Sequence, residues 1–352
     1  MRMPLAIGIV GYGYWGPNLA RNFSTITDAR LSAVCDRSPQ RLEHMRKLHP
    51  STRPYADLGE MLNEVKLDAV VIATPLKSHH ALAKACLLAG KHVLIEKPMA
   101  SSSRECEELI AIARHRSLIL MVGHTHLYST AFAKVQEIIK SGEVGEIRYL
   151  NCQRLNLGLF QPASNVAWDL AAHDLSMILH IMGESPLVVN CQGNAHVNPD
   201  IEDVTNISMS FTRNRFATVQ SSWIEPKKVR QMTLIGNRKM IIYDDLEPHE
   251  KIRIYDVRVD FPPHDDSFEE FQYAYHYGDC HIPHIEHYEP IANMCRHFIT
   301  CIKNRSLPFT CGTRGLEVVK ILEACNDSIR QQGAPVYLKD QCFVPTSLAE
   351  AG

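Results

Sequence analysis

The sequence predicts an α/β protein with two domains, an N-terminal doubly wound parallel sheet and a C-terminal α+β domain with a large, mostly antiparallel, open-faced sheet. Short apolar runs alternate with helix-compatible segments through the first third of the chain, as in parallel strands that helices cover on both faces. From about residue 186 to residue 255 the strands instead alternate apolar and polar residues, which is typical of antiparallel strands with one open face.

The first domain is expected over residues 1–123. Each of its strands is a short run such as HVLIE, apolar on both faces and followed by a helix-compatible stretch. The predicted strands lie at residues 5–10, 30–35, 68–73, 92–96 and 118–122, and the predicted helices at 39–48, 79–89 and 102–115.

The second domain is expected over residues 124–352. In residues 207–212 (ISMSFT) one face is apolar and the other is small and polar, which predicts an open sheet face. Such a face suits either oligomerisation, as a homodimer or homotetramer, or simple exposure to solvent. Other elements are expected as helices at 129–141, 168–182 and 315–331 and a strand at 147–155.

Composition narrows the class of protein. The 352 residues suffice for about two domains, and a net charge of −2 gives no electrostatic case for nucleic acid or an anionic membrane. No apolar run approaches the roughly 20 residues of a membrane span, and the N-terminal apolar run is interpreted as the first strand. The eleven scattered cysteines favour reduced thiols in the cytoplasm over a disulfide framework.

A glycine-rich turn follows the first predicted strand, with the pattern Gly11-x-Gly13-x-x-Gly16. Gly11 permits a tight turn, Gly13 lets the backbone approach a pyrophosphate, and Gly16 lets the next helix pack closely. Asp36 lies twenty residues after Gly16, at the end of the second strand, where a carboxylate can bind an adenosine ribose. The pattern predicts a dinucleotide site of the Rossmann type.

The carboxylate of Asp36 favours NAD, because it would repel the 2′-phosphate of NADP. The neighbouring Arg37 could stack on adenine or assist NADP, so NADP remains the alternative cofactor. The residues expected to bind the cofactor include others at the ends of the predicted strands. The full set is Gly11, Gly13, Tyr14, Trp15, Gly16, Asp36, Arg37, Thr74, Pro75, His79, Glu96 and Lys97.

Lys97 follows a buried strand within Glu96-Lys97-Pro98, where a solvated lysine would be out of character. Its ammonium group can hold an alcohol oxygen and stabilise alkoxide character as hydride leaves. Pro98 is a candidate for a cis peptide bond, which an X–Pro pair tolerates best. A lysine that merely terminates the strand is the structural alternative.

Asp169 and His173 are spaced i, i+4 and are predicted to share one face of a helix. Asp169 can fix the tautomer of the imidazole or bind substrate, and His173 can act as a base near neutral pH. An ordinary helical Asp/His pair is the alternative, and His180 is interpreted as structural.

The motifs GYGYWG, TPxxxH, EKP and DxxxH, in this order and spacing, resemble those of the Gfo/Idh/MocA oxidoreductases over essentially the whole chain. The resemblance implies a nicotinamide-dependent enzyme acting on an alcohol of a sugar, cyclitol or nucleotide sugar. It also implies that Lys97, Asp169 and His173 form the catalytic group. The alternatives are a dehydrogenase or ketoreductase of another sugar or cyclitol, and a non-catalytic NAD-binding regulator.

The segment RLNLGLFQ at 154–161 and NVAW at 165–168 resemble the branch that works on nucleotide-linked amino sugars. This implies oxidation of the C3 hydroxyl of UDP-N-acetylglucosamine, a step of lipopolysaccharide biosynthesis. Arg154 could pair with a diphosphate, while polar loop residues without a ligand are the alternative. The substrate-binding set is Arg154, Asn156, Gln161, Asn165, Trp168, Asp169 and His173.

The segment HYGDCHIPHIEH at 276–287 is dense in histidine but lacks a helix that would present two ligands on one face. No metal is therefore expected there. A loop that closes over the active site or a neighbouring subunit is the preferred interpretation.

Overall fold

The computed structural model describes residues 3–162, 164–260 and 273–338. They form two compact units, one of residues 3–129 with 288–323 and one of residues 130–287 with 324–338. The two domains expected from the sequence were continuous, 1–123 and 124–352. The structure instead places residues 288–323 in the unit that contains the N-terminus.

The first unit contains a six-stranded parallel sheet in the order β3-β2-β1-β4-β5-β6, so the predicted doubly wound sheet is confirmed. Its strands are β1 (Leu5–Val10), β2 (Ala29–Cys35), β3 (Arg53–Tyr55), β4 (Ala69–Ile72), β5 (His92–Glu96) and β6 (Leu120–Gly123). The helices that alternate with them are α1 (Gly16–Thr25), α2 (Pro39–Leu48), α3 (Leu58–Glu64), α4 (His79–Leu88) and α5 (Ser103–His115).

Local sequence signals explain several of these boundaries. Ser38 precedes α2 and its hydroxyl accepts the backbone N–H of Arg41, while Pro39 occupies the first helical position. Ser102 caps α5 in the same way and accepts the N–H of Glu105. These caps fix where the chain leaves the carboxyl ends of β2 and β5, which are the positions of Asp36 and Lys97.

A late segment of the chain completes the core of the first unit. Helix α8 (Pro290–Asn304) buries Met294, Phe298 and Ile302 in one apolar cluster with Leu19 and Phe23 of α1. Burial of such apolar side chains provides most of the stabilisation in a core of this kind. Sequence reasoning predicted neither α8 nor the short elements β3 and α3.

The second unit is built on a nine-stranded sheet in the order β14-β13-β12-β11-β7-β10-β9-β8-β15. Neighbouring strands are antiparallel except β10 and β7, which run parallel, so the predicted mostly antiparallel sheet is confirmed. The strands are β7 (Ile147–Leu157), β8 (Val188–Asn194), β9 (Val204–Ser210), β10 (Phe216–Ser222), β11 (Ile224–Gly236), β12 (Met240–Asp244), β13 (Ile252–Asp260), β14 (Ala274–His281) and β15 (Val336–Tyr337).

The alternation expected at residues 207–212 holds in β9, where Ile207 and Met209 are buried and Asn206 and Ser210 are exposed. The helices of this unit are α6 (Thr130–Lys140), α7 (Ala172–Met182) and the last residues of α9 (Gly312–Arg330). Within the part of the chain that the structure describes, no helix combines the length and apolarity needed to cross a membrane.

Candidate active site

The glycine-rich turn connects β1 to α1 as the sequence predicts. Gly11 has a φ of +94°, and a Cβ atom at this position would lie 2.6 Å from the carbonyl oxygen of Ala73. Its backbone N–H donates to the carbonyl of Cys35 at 2.8 Å, which ties the turn to the end of β2. Only glycine adopts this φ readily and leaves room for the carbonyl of Ala73. In this fold a pyrophosphate binds at the N-terminus of the helix that follows the turn, which here is α1.

Asp36 is buried at the end of β2 and is held by the backbone on both sides. Its Oδ2 accepts the N–H of Tyr12 at 2.6 Å and its Oδ1 accepts the N–H of Ser38 at 2.8 Å. The guanidinium of Arg41, on α2, lies 3.5 Å from Oδ2, and its side chain is 56% exposed. Sequence reasoning had considered only Arg37 as the cation beside this carboxylate.

His79, the histidine of TPxxxH, connects the turns that follow β4 and β5. It is 1% exposed; its Nδ1 lies 2.9 Å from the carbonyl oxygen of Pro98, and its Nε2 lies 2.8 Å from that of Thr74. Burial lowers the pKa of His79, and the hydrogen bonds to the two backbone carbonyls oppose this effect. One ring nitrogen thus faces the backbone of Thr74 after β4 and the other faces that of Pro98, which follows Lys97 after β5. The sequence did not predict this structural contact for a residue expected to bind the cofactor.

Lys97 follows β5 directly, and its peptide bond to Pro98 is cis, as expected. The preceding Glu96 lies against Gly123, where an added Cβ would meet the carboxyl atoms at 3.3 Å. Burial raises the pKa of Glu96 to about 7, although the charge of Lys97 and a hydrogen bond from its backbone N–H oppose the rise. The carboxyl ends of β5 and β6 therefore hold ionisable groups with altered acidity, which is a common property of functional sites.

His124 comes directly after β6 and is 2% exposed. Burial, with a further effect from the positive charge of Lys97, lowers the pKa of His124 to about 3. Neither of its ring nitrogens has a hydrogen-bond partner among the residues that the structure describes. The imidazole is consequently neutral at physiological pH.

In the second unit, Asp169 does not lie on an ordinary α-helix. Residues Ala167–Ala171 form a π-helical turn, and the α-helix α7 begins only at Ala172. The expected α-helix over 168–182, with Asp169 and His173 on one face, is corrected accordingly. π turns are rare and are frequent at functional sites. His173 lies in the first turn of α7, one turn beyond Asp169.

Trp223 holds the carboxylate of Asp169, because its Nε1–H donates to Oδ2 at 3.1 Å. Sequence reasoning missed Trp223, which carries no motif and lies 54 residues away along the chain. Trp223 lies between β10 and β11, and it comes close to Asp169 only because the chain folds into this sheet.

Arg154, expected to pair with a diphosphate, has another partner in the structure. Its Nε and Nη2 donate to the two carboxylate oxygens of Asp174 at 2.7 and 3.0 Å, and both side chains are buried. Such a bidentate pair is satisfied within the unit. Arg154 therefore does not offer the free phosphate contact expected from the sequence. No motif in the sequence identifies Asp174 as its partner.

The other predicted substrate residues divide into two groups. Asn165 donates to Glu202 at 2.9 Å and to Asn326 at 3.2 Å, and the indole N–H of Trp168 also donates to Asn326 at 3.2 Å. These contacts join the π turn to the last part of α9, so they give both residues a structural role. Gln161 donates to the carbonyl of Leu159 at 3.3 Å in an exposed loop, and Asn156 is half-buried near the end of β7.

The histidine-rich segment begins as the edge strand β14. The Nε2 of His276 lies 3.1 Å from the carboxylate of Asp256, and His287 contacts the carbonyl of Pro248 at 3.1 Å. Across the described ranges, no three His, Cys, Asp or Glu side chains are grouped as a metal site would require.

Two stretches of the chain match the two parts of one family. Residues 5–124 match the oxidoreductase family with an NAD-binding Rossmann fold, GFO_IDH_MocA, and residues 132–242 match the GFO/IDH/MocA C-terminal domain. These stretches contain the glycine-rich turn, Lys97, Asp169, His173 and Trp223.

Two sequence relatives and one solved structure are similar to this chain. UDP-N-acetylglucosamine 3-dehydrogenase of Acidithiobacillus ferrooxidans is 30% identical over 242 residues, or 68% of this chain and 74% of the relative. Myo-inositol 2-dehydrogenase of Thermotoga maritima is 27% identical over 60% of this chain and 65% of the relative. The solved structure of the Acidithiobacillus enzyme covers 94% of this chain and 99% of its own, with a TM-score of 0.77 and 24% identity. The chain therefore belongs to the Gfo/Idh/MocA family and is an NAD-binding oxidoreductase that acts on CH–OH groups.

Proposed function

We propose that this enzyme oxidises the C3 hydroxyl of UDP-N-acetylglucosamine to the 3-keto sugar, with NAD as the hydride acceptor. The observation that carries the proposal is the 30% identity to the Acidithiobacillus ferrooxidans relative named for this reaction. The segment between Arg154 and Trp168, which resembles the amino-sugar branch, lies within the second unit and supports the same substrate class.

We assign to Lys97 the role of binding the hydroxyl oxygen of the substrate. On the C-terminal side of this residue the carbonyl of Pro98 is held by His79 at 2.9 Å, and the charge of Lys97 acts on the buried His124 at the end of β6. An ammonium group so placed stabilises the negative charge that develops on the alcohol oxygen as hydride leaves. Bound NAD supplies the acceptor for that hydride.

We assign to His173 the role of accepting the proton of the alcohol. Asp169 would orient either the imidazole of His173 or the substrate. A neutral imidazole can accept a proton near physiological pH. The hydrogen bond from Trp223 fixes one oxygen of Asp169, so the carboxylate has a defined direction. Of the residues predicted to read the sugar, Asn156 and Gln161 remain the candidates, because Arg154 and Asn165 serve internal contacts.

A cyclitol or another hexose is the second candidate substrate, and it is favoured by the 27% identity to the myo-inositol 2-dehydrogenase of Thermotoga maritima. The purified enzyme would be tested with NAD against UDP-N-acetylglucosamine, UDP-glucose, myo-inositol and free hexoses, following the absorbance of reduced nicotinamide. We expect the highest kcat/KM with UDP-N-acetylglucosamine, with the 3-keto product confirmed by mass spectrometry. A higher value with an inositol would replace the first proposal by the second, and activity with none of these compounds would contradict both.

We further propose that the enzyme works in the cytoplasm as a homodimer or homotetramer formed through the nine-stranded sheet, and that its product serves lipopolysaccharide biosynthesis. Each cysteine in the described ranges is a free thiol, which suits a reducing compartment. Light scattering of the purified enzyme tests the oligomer, and a monomer would contradict it.

A further inference from the structure

Trp223 is almost fully buried, with 1% of its surface exposed, yet it is not part of any motif. An indole has a single N–H donor and no acceptor. Trp223 uses that donor on Oδ2 of Asp169 at 3.1 Å. If the carboxylate of Asp169 turned away, a buried N–H would lose its partner, which is costly in a protein interior. The contact therefore restricts the orientation of Asp169.

The position of Trp223 is itself fixed from two sides. Its backbone N–H donates to the carbonyl of Asp203 at 2.9 Å, and its carbonyl accepts the N–H of Gly158 at 2.8 Å. Gly158 lies directly against the indole, because an added Cβ would come within 2.6 Å of Cδ1. The ring of Phe160 packs against the indole at a centroid distance of 5.3 Å. The indole thus has little freedom to move.

Asp169 lies in a π-helical turn, whose hydrogen bonds differ from those of the α-helix that follows. The regular i, i+4 geometry of an α-helix does not set the direction of its side chain. A donor from the sheet, outside the helix, supplies that direction instead.

We propose that Trp223 is a positioning residue that holds the carboxylate of Asp169 in its working orientation. The inference rests on the proposed function, in which Asp169 takes part in the reaction. Trp223 itself does not exchange a proton or an electron, since its effect passes through one hydrogen bond to Asp169.

The test is the variant Trp223→Phe, which keeps an aromatic ring and removes the N–H. Loss of orientation at a reacting group costs up to about a hundredfold in rate. We expect kcat to fall by about 10- to 100-fold while the dissociation constant for NAD stays within about twofold of wild type. The control variant Tyr149→Phe removes a side-chain hydrogen bond to Thr218 elsewhere in the same sheet, and it should retain kcat within about threefold.

A double-mutant cycle with Asp169→Ala, which removes the acceptor of the indole N–H, separates positioning from general destabilisation. If Trp223 acts through Asp169, Trp223→Phe lowers kcat in the wild-type background and has no further effect in the Asp169→Ala background. Equal losses in both backgrounds would overturn the inference and leave the proposed function intact. Full activity of Asp169→Ala alone would instead overturn the proposed role of Asp169, and the inference with it.

A second variant keeps the test decisive if Trp223→Phe does not fold. Gly158→Ala retains the indole N–H but places a Cβ against Cδ1, so it should displace the ring from Asp169. It is expected to lower kcat in the wild-type background only. A folded Gly158→Ala enzyme with wild-type kcat would contradict the positioning role.

Discussion

The guanidinium of Arg41 lies 3.5 Å from the carboxylate of Asp36, the residue expected to bind the adenosine ribose. Arg41 compensates part of the negative charge of Asp36, so a ligand phosphate would meet an ion pair instead of a lone carboxylate. Because the Arg41 side chain is 56% exposed, dissolved salt screens its charge. Cofactor preference is therefore expected to depend on both members of the pair.

Asp36→Ala should reduce the preference for NAD over NADP. The variant loses the acceptor for the ribose hydroxyls and the negative charge that repels a 2′-phosphate. We expect the ratio of kcat/KM for NAD to kcat/KM for NADP to fall by about tenfold or more, a loss of about 1.4 kcal/mol of discrimination. A wild-type enzyme that is more efficient with NADP would contradict the role of Asp36.

Arg41→Ala should act in the opposite direction and increase the preference for NAD, mainly by raising KM for NADP. The remaining carboxylate would then repel the 2′-phosphate without compensation. Arg37→Ala is the matched control, since Arg37 is the exposed residue adjacent to Asp36. A larger effect from Arg37→Ala would assign the cation to that position, and the effect of either variant should shrink as ionic strength rises.

Lys97→Ala should lower kcat by roughly a hundredfold or more, the usual contribution of an acid–base or electrostatic group. The dissociation constant for NAD, measured by fluorescence titration, should change little. Lys91→Ala is the control. Lys91 lies just before the first residue of β5, whereas Lys97 follows the last, and the Nζ of Lys91 contacts the carbonyl of Leu67 at 2.9 Å. Near-normal turnover of Lys97→Ala would leave Lys97 a structural role only.

His173→Asn should abolish most of the activity and remove the loss of rate at acidic pH. A base must be neutral to accept the alcohol proton, so oxidation by the wild-type enzyme should fall as the pH drops and the imidazole of His173 takes up a proton. His180→Asn, on the same helix, is the control and should keep the wild-type profile. An active His173→Asn enzyme with an unchanged acidic limb would assign the proton to Lys97.

His124 should make folding stability depend on pH. Its pKa of about 3 in the folded protein lies below the ordinary value of 6.5, so between these values the unfolded chain binds more protons and stability falls as the pH falls. The slope is at most about 1.4 kcal/mol per pH unit. His124→Phe should flatten it in urea denaturation measured at several pH values.

Glu96 should change the pH dependence of folding stability in the opposite direction to His124. Its pKa of about 7 lies above the ordinary 4.5, so the folded protein binds the extra proton and stability falls as the pH rises between these values. Glu96→Gln should remove this opposing slope. Equal pH profiles for wild type and both variants would mean that neither group is buried as the structure places it.

Much of the fold could be predicted because its strands leave a clear local pattern. Strand β5 is a continuous apolar run because helices cover both faces of a parallel sheet. Strand β3 has only three residues, one of them an exposed arginine, so no pattern marks it. Helix α8 has a strong apolar face, but no motif in its sequence indicates that its partner is α1, over 250 residues earlier.

The sequence predicts candidate site residues where a residue type and its spacing imply one chemistry, as for Gly11, Asp36 and Lys97. Contacts that depend on distant parts of the chain could not be predicted in this way. Arg154 carries the same charge whether it meets a phosphate or Asp174, and only the structure distinguishes these partners. The π turn at Asp169 gives no periodic signal that differs from that of an α-helix.

The packing of α8 against α1 has a consequence for synthesis of the protein. Domains generally fold as units during translation, at about 5 to 20 residues per second. The nucleotide-binding unit cannot close its core until Phe298 has left the ribosome, by which time most of the other unit has emerged. Until then, the apolar side chains of Leu19 and Phe23 on α1 are not covered by α8. A gene fragment that ends at residue 129 would express a nucleotide-binding unit with this surface permanently exposed, and we expect it to aggregate.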